Sequence, residues 1–429
     1  MIASNKIRQI RYDMRHQSVV TWVTLVGTAL SVFLLMTVIS LEQLNSMPFA
    51  PESNRPRLLY GQNFHISGIG NNEDSSAGLS YTMAGKLYVG LKGVAISSRM
   101  NIDAWNAEAE GPTEKPVTAS TRKVDENFWK IFDHTLIDGR YFDKAEVDDN
   151  SNVAVLSESM ARNLFGDAKA VGSEFMLSFK PYKVVGLVAD HSALARQAAA
   201  DIFIPMSHAS AAWWGESGMF GDVAVALLLA DGTTPRALRD QVKARYAQVA
   251  TELAPEKLQP VYHEAPYDVA TVVNGAYGSN STPDTSGTER VRLITYALLL
   301  LLPAINLSSM LHSRIRRRVG EFGIRRAFGC TRMRIVRDII SENFIITLLG
   351  AIVGWMLAIL FMSSYTGLYS SGWLGIVGDT PTLGMLLNWR MVLAVIAVCF
   401  IINILSASVP ALQASRLNTV DAINGRHNN

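Results

Sequence analysis

RIRRRVGEFGIRRAFGCTRMRIVR, residues 314–337, holds nine arginines and no lysine, and an uncharged stretch of membrane-spanning length flanks it on each side. A bilayer core takes about 20 apolar residues of helix to cross and tolerates few charges near its centre. Four stretches satisfy this: residues 19–41, 293–311, 343–364 and 391–415, none containing Asp, Glu, Lys or Arg. A soluble protein would not contain four of them. The arginine block is therefore expected to be a loop between a second and a third span.

Basic segments are retained on the cytoplasmic side of a membrane. Residues 1–18 carry Lys6, Arg8, Arg11 and Arg15 against Asp13, the 312–342 loop is net +6, and Arg416 and Arg426 follow the fourth stretch. Residues 365–390 carry only Asp379 and Arg390. The expected map is thus a cytoplasmic segment 1–18, span 19–41, an extracytoplasmic domain 42–292, span 293–311, a cytoplasmic loop 312–342, span 343–364, a short outer loop 365–390, span 391–415 and a cytoplasmic C-terminus 416–429. The outer domain has 23 basic and 31 acidic residues, net −8, a polarity hidden in the overall charge of +2. The first span reads as a retained anchor, because a signal-peptide core is usually about 7–15 residues and no small-x-small site ends a shorter one here. Cys330 and Cys399 lie in the loop and the fourth span, so no disulfide framework supports the outer domain. That domain is long enough to bury its own core.

Residues 152–158 (NVAVLSE), 182–190 (YKVVGLVAD), 200–206 (ADIFIPM) and 222–230 (DVAVALLLA) are short, β-branched and bounded by turn residues, and read as strands. Thr234 and Pro235 start a helix running to about Leu253, and Ser157 caps a short one stopped by Gly166. Val124, Phe128, Ile131 and Phe132 share a face over 124–134, which predicts a third helix. The outer domain is expected to be α+β, with linkers at Pro48 and Pro51 and at GSNSTPDTSG, residues 278–287. No internal repeat is found, which argues against an inverted-repeat transporter.

GEFGIRRAFGCTRMRIVRDIISENF (320–344) resembles the loop motif of the MacB/FtsX-type permeases of ABC systems. Residues 124–175, with Gly139, Arg140, Phe142, Ala161, Leu164, Phe165, Gly166 and Gly172, resemble that family's extracytoplasmic core domain, and PALQASRLNTVDAING (410–425) is similar to its terminal segment. The resemblance implies an α-helical membrane protein with four transmembrane helices and a large α+β extracytoplasmic domain of porter-like and sabre-like subdomains inserted between the first two, the sabre-like part at roughly 124–210. It also implies pairing with a second permease copy or a homologous permease, and with a cytoplasmic ABC ATPase dimer that binds ATP and Mg. Phe322, Phe328 and Cys330 depart from the smaller residues usual in the loop motif.

The loop's residues support a coupling role on their own. Glu321, Gly323, Ile324 and Ala327 fall at helical neighbour positions and suit docking into a groove, while Arg325 and Arg326 are expected to project elsewhere, towards acidic residues of a partner or lipid phosphate. The bland alternative is a topogenic loop on anionic lipid. Such a loop needs only charge, so the interleaved Gly323, Ala327 and Gly329 favour docking. No G-x-x-x-x-G-K-[ST] cradle occurs in the sequence, and the only Gly-Lys pair, Gly85-Lys86, is followed by Leu87. No cofactor is therefore expected in this chain, and ATP is expected to be hydrolysed elsewhere. The eight histidines are scattered, His263-Glu264 lacks a second histidine one helical turn away, and G-x-S-x-G is missing, so neither a metal site nor a hydrolase is expected.

In the spans, Gly350, Gly354 and Ala358 form a small-residue row for packing inside the subunit or against a dimer mate. Pro303 is a candidate hinge, with Ser308 and Ser309 below it to satisfy freed backbone groups. Uncharged spans disfavour transport driven by an ion gradient. Trp213 and Trp214 are read either as core or as contacts for an apolar ligand or the bilayer interface. Together with the resemblance, these features lead to the expectation of an export permease in the cytoplasmic membrane that couples ATP hydrolysis by a separate ATPase subunit to export or release of an amphiphilic substrate, such as an antimicrobial, lipopeptide or lipoprotein. The alternative is an FtsX-like or sensory regulator acting on an extracytoplasmic enzyme or a kinase. Membrane lipid and an extracytoplasmic protein complete the expected partners, and nucleic acid is not among them.

Overall fold

The computed structural model describes residues 18–46, 48–68, 74–112, 115–166, 169–191, 195–206, 218–274, 282–370 and 389–416. Trp213, Trp214, the N-terminal basic residues and most of the 365–390 loop lie outside the described residues. The chain forms two units, residues 45–288 with 368–380, and residues 1–44 with 289–367 and 381–429. In chain order the helices are α1 (Ser18–Ser46), α2 (Tyr81–Tyr88), α3 (Phe128–Ile131), α4 (Lys144–Asp148), α5 (Glu158–Phe165), α6 (Pro235–Leu253), α7 (Val269–Asn274), α8 (Ser286–Arg317), α9 (Val319–Ala327), α10 (Arg332–Ser370) and α11 (Trp389–Arg416). The strands are β1 (Leu58–Gly61), β2 (Asn63–Gly68), β3 (Asp74–Leu79), β4 (Val94–Asn101), β5 (Trp105–Glu110), β6 (Pro116–Val124), β7 (Leu136–Gly139), β8 (Val153–Ser157), β9 (Glu174–Leu177), β10 (Lys180–Val188), β11 (Ile202–Pro205), β12 (Phe220–Gly221), β13 (Val223–Leu229), β14 (Leu258–Val261) and β15 (Tyr267–Asp268).

All these strands join one sheet in the first unit, and the sheet divides into two lobes. In one lobe β6, β5, β9, β10, β8 and β11 pair in turn, and β11 returns to β6 in parallel register (Ile202 opposite Thr121), which closes the ring. Closure leaves no free edge among these six strands. Leu156, Phe175, Val184, Leu187 and Ile202 fill the interior, together with Met160 and Leu164 from α5. α5 starts where Ser157 accepts a hydrogen bond from Met160 N, and it ends at Gly166, whose φ of 75° suits a residue without Cβ.

In the other lobe β13 is central, paired with β1, β3 and β4, and all seven of its residues are buried. That double coverage explains its unbroken apolar run. α6 lays Leu238, Val242, Tyr246, Val249 and Leu253 on the lobe at three- and four-residue spacing, and Thr234 caps it at Ala237 N.

The helix expected over 124–134 is corrected. Val124 ends β6 and the helix is only Phe128–Ile131, although Val124, Phe128, Ile131 and Phe132 are all buried. Asp125 interrupts the helix by accepting from Arg99 N (2.7 Å), Ser98 Oγ (2.7 Å) and Asn127 N (3.1 Å), which makes a turn out of residues 125–127. Burial outweighs those donors and pushes the Asp125 carboxyl up to about 6. A raised folded-state pKa gives stability that is complete below about pH 4 and is lost as pH rises through about 6, on the order of 3 kcal/mol. The melting temperature of the full chain relative to Asp125→Asn should therefore fall over that window, and parallel profiles for the two proteins would contradict it.

In the second unit α1, α8, α10 and α11 share a core that includes Val32, Met36, Leu307, Ala358, Val398 and Ile402. Residues 332–364 are long and apolar enough to cross a membrane, and shorter apolar stretches cover 25–40 and 392–408. Asn343 Nδ2 donates to Asn403 Oδ1 (2.7 Å), and Asn403 Nδ2 donates to the Ile340 carbonyl (3.1 Å), so buried amides tie α10 to α11.

Candidate coupling site

The arginine-rich loop contains a structured helix. α8 stops at Arg317, Arg318 leaves the helical region (φ −106°, ψ 10°), and α9 follows. α9 ends in a Schellman arrangement, with Gly329 N bonding Arg326 O (3.0 Å), Cys330 N bonding Arg325 O (3.0 Å) and Gly329 at φ +87°. Gly329 is needed there because a Cβ disfavours that backbone region.

The inward face of α9 is Val319, Phe322 and Gly323. Phe322 packs with Leu311, Ile315, Ile335, Ile339 and Ala407, so the helix is anchored to α8, α10 and α11. The outward face is Gly320, Ile324, Ala327 and Phe328, with Ile324 53% and Phe328 88% exposed. Gly323, expected beside Ile324 on the docking face, is instead turned inward. Phe328, noted in the sequence only as a departure from the family pattern, is more exposed than Ile324.

The charges also arrange themselves differently from expectation. Glu321 is paired with Arg318 (Nε to Oε2, 2.9 Å) and with Arg325, one turn away. Arg325 therefore does not project free towards a partner, because the four-residue spacing brings it back onto Glu321. Burial raises the Glu321 pKa, but hydrogen bonds and charge from Arg318 and Arg325 outweigh it and hold the carboxyl below its usual range. Arg326 is half-buried. Arg318 further donates to both carboxylate oxygens of Glu342 at 3.1 Å, joining α9 to α10. Neither Arg318 nor Glu342 stood out in the sequence, since their pairing crosses 24 residues and a chain reversal.

The small-residue row lies against α1. A Cβ at Gly350 would stand 2.9 Å from Thr28 Cβ, and one at Gly354 would overlap the Ala29 carbonyl oxygen. Ala358 continues the row into the shared core. α8 runs through Pro303 without interruption, and Ser308 and Ser309 line a groove of 480 Å³ with Ala304, Ile305, Leu405 and Pro410. Among the described residues, no group of three or more His, Cys, Asp or Glu is placed to hold a metal.

The chain belongs to the family of the MacB-like periplasmic core domain, whose model matches residues 21–245, more than half of its length. The FtsX-like permease C-terminal model matches residues 293–419. The sequence is 20% identical over 316 residues to the macrolide export ATP-binding/permease protein MacB of Mannheimia succiniciproducens, covering 71% of this chain and 43% of that protein. It is 26% identical over 303 residues to the pyoverdine export ATP-binding/permease protein PvdT of Pseudomonas fluorescens, covering 70% and 42%. The chain thus spans less than half the length of these curated relatives. Among solved structures it is similar to the periplasmic region of MacB from Actinobacillus actinomycetemcomitans (TM-score 0.36, 14% identity, 52% of this chain and 95% of that one). It is also similar to a domain of a putative permease protein from Porphyromonas gingivalis (TM-score 0.38, 15% identity, 48% and 88%).

Proposed function

We propose that the chain is the permease subunit of an ABC-type export system. It crosses the cytoplasmic membrane four times with both termini inside, and its α+β domain, with porter-like and sabre-like subdomains, lies on the far side. A cytoplasmic ABC ATPase dimer binds ATP and Mg, and two permeases, identical or homologous, act together. The chain itself performs no catalysis. Closure of the ATPase moves α9, and the movement passes through the helices to the outer domain, expelling or releasing an amphiphilic substrate. The relatives' names, which combine ATP binding, permease and export, support this reading.

The observation that carries it is the two-sided character of α9, pinned inward by Phe322 and presenting Ile324, Ala327 and Phe328 outward from an arginine-rich loop. A loop that only set topology would have no reason to expose an apolar stripe on a structured helix. Ile324→Asp with Phe328→Asp should lower association of the co-expressed ATPase about 100-fold, as expected for loss of a buried aromatic anchor, while the permease still inserts and melts normally. Undiminished association and ATP-dependent export would defeat the proposal. A response confined to an extracytoplasmic hydrolase or a kinase would replace export by regulation.

A further inference from the structure

We infer that Arg318 is the positioning residue that fixes α9 against α10 and so determines where the docking face is presented; the second half of this statement rests on the docking reading of α9. One guanidinium at the joint between α8 and α9 serves two carboxylates from different elements. Nε and Nη2 reach Glu321 at 2.9 and 3.4 Å, and Nη1 reaches both oxygens of Glu342 at 3.1 Å. The Arg318 and Glu342 side chains are each 22% exposed, well shielded from water for a loop of this charge. The cation also stands 5.6 Å from the centre of the Phe322 ring, the inward anchor of α9.

The far end of this linkage is itself fastened. Glu342 is followed by Asn343, whose buried amide holds Asn403 of α11. A polar path therefore runs from Arg325 through Glu321, Arg318 and Glu342, and continues along α10 to Asn343 and Asn403. A planar guanidinium can satisfy two carboxylates arriving from different directions, which a point-charged ammonium cannot do equally well. α9 has nine residues, too few to be stable as an isolated helix in water, where about 12–15 are marginal. Its placement depends on what holds it. A cation serving only the C-terminal dipole of α8 would face back along α8. Arg318 instead faces the elements that follow it.

The test uses the full chain in native membrane vesicles and its own two thiols. Cys330, just after α9, is partly exposed, and Cys399 in α11 is buried. Arg318→Gln and Glu342→Gln should each raise the maleimide-labelling rate of Cys330 about tenfold through local opening, with Cys399 still protected. The double variant should be no faster than the faster single one, since both remove the same link. Glu342→Asp, which retains the charge, should restore the rate to within about twofold of wild type. Wild-type Cys330 rates in both single variants overturn the inference, and so does parallel exposure of Cys399, which would assign the residues to general stability. If Cys330 opens selectively while ATPase association and export are untouched, Arg318 keeps its role in holding α9 and the docking reading fails.

Discussion

Gly354→Leu is expected to separate α1 from α10 and to prevent stable insertion of the full chain. At this position the two backbones meet without intervening side chains. A Cβ would overlap the Ala29 carbonyl oxygen and lie 3.0 Å from the Phe33 nitrogen, and neither backbone atom can rotate aside. Overpacking in a close-packed interior typically costs about 1–3 kcal/mol and more where backbone must shift. Four added carbons at a backbone contact belong to the upper end. Gly350→Leu meets Thr28 Cβ and Leu25 O at 2.9 and 3.1 Å and should be milder, and Val353→Leu, at an exposed position of the same helix, should be close to neutral. Thermal melting of the purified chain, with the yield of membrane-inserted protein, ranks the three. Equal melting temperatures for Gly354→Leu and Val353→Leu would show that α1 does not approach α10 along this row.

Glu52→Ala should destabilise the outer domain by about 3–5 kcal/mol, the range for removing one partner of a buried ion pair. Glu52 is fully buried and Arg55 is 4% exposed; the carboxylate accepts from Arg55 Nε at 2.6 Å and from the backbone amides of Gln197 and Ala198 at 3.0 and 3.1 Å. The alanine variant leaves a buried guanidinium and two amides without these acceptors. For a domain of this size the expected loss is about 10 °C in melting temperature. Glu52→Gln keeps an acceptor for the amides and should fall between. The segment is also stitched to its surroundings by Asn54 Nδ2 to Ile131 O (3.0 Å) and Asp133 N to Pro51 O (2.8 Å). Residues 51–55, which follow the first helix, are thus built into the outer domain, although the sequence marked Pro48 and Pro51 only as a linker. Melting within about 2 °C of wild type for Glu52→Ala would mean that the pair contributes little.

Much of the local structure was readable from residue pattern because its causes are local. Thr234 and Pro235 start α6, Ser157 and Gly166 bound α5, the β-branched runs at 152–158, 200–206 and 222–230 contain β8, β11 and β13, and the run at 182–190 covers all but the first two residues of β10. The remaining strands are not marked in this way, including β4 (VAISSRMN), β5 (WNAEAE) and β6 (PVTASTRKV), which intersperse polar side chains, some of them buried, and lack an unbroken apolar run. The difference at 124–134 has another origin. A face shared by Val124, Phe128, Ile131 and Phe132 reports burial, and burial alone does not distinguish a helix from a strand end followed by a turn.

Composition and linear order determined that this chain has uncharged apolar stretches, an acidic α+β lobe and an arginine-rich segment with small residues interleaved. Hydrophobic length, charge and capping chemistry act between residues a few positions apart, so they survive in the sequence. Only the tertiary structure decided that the barrel closes between β6 and β11, that Gly354 meets Ala29, that Gly323 turns inward while Phe328 turns out, and that Arg318 binds Glu342. Each of these depends on which distant segments come within a few ångströms of each other, and linear order does not carry that distance.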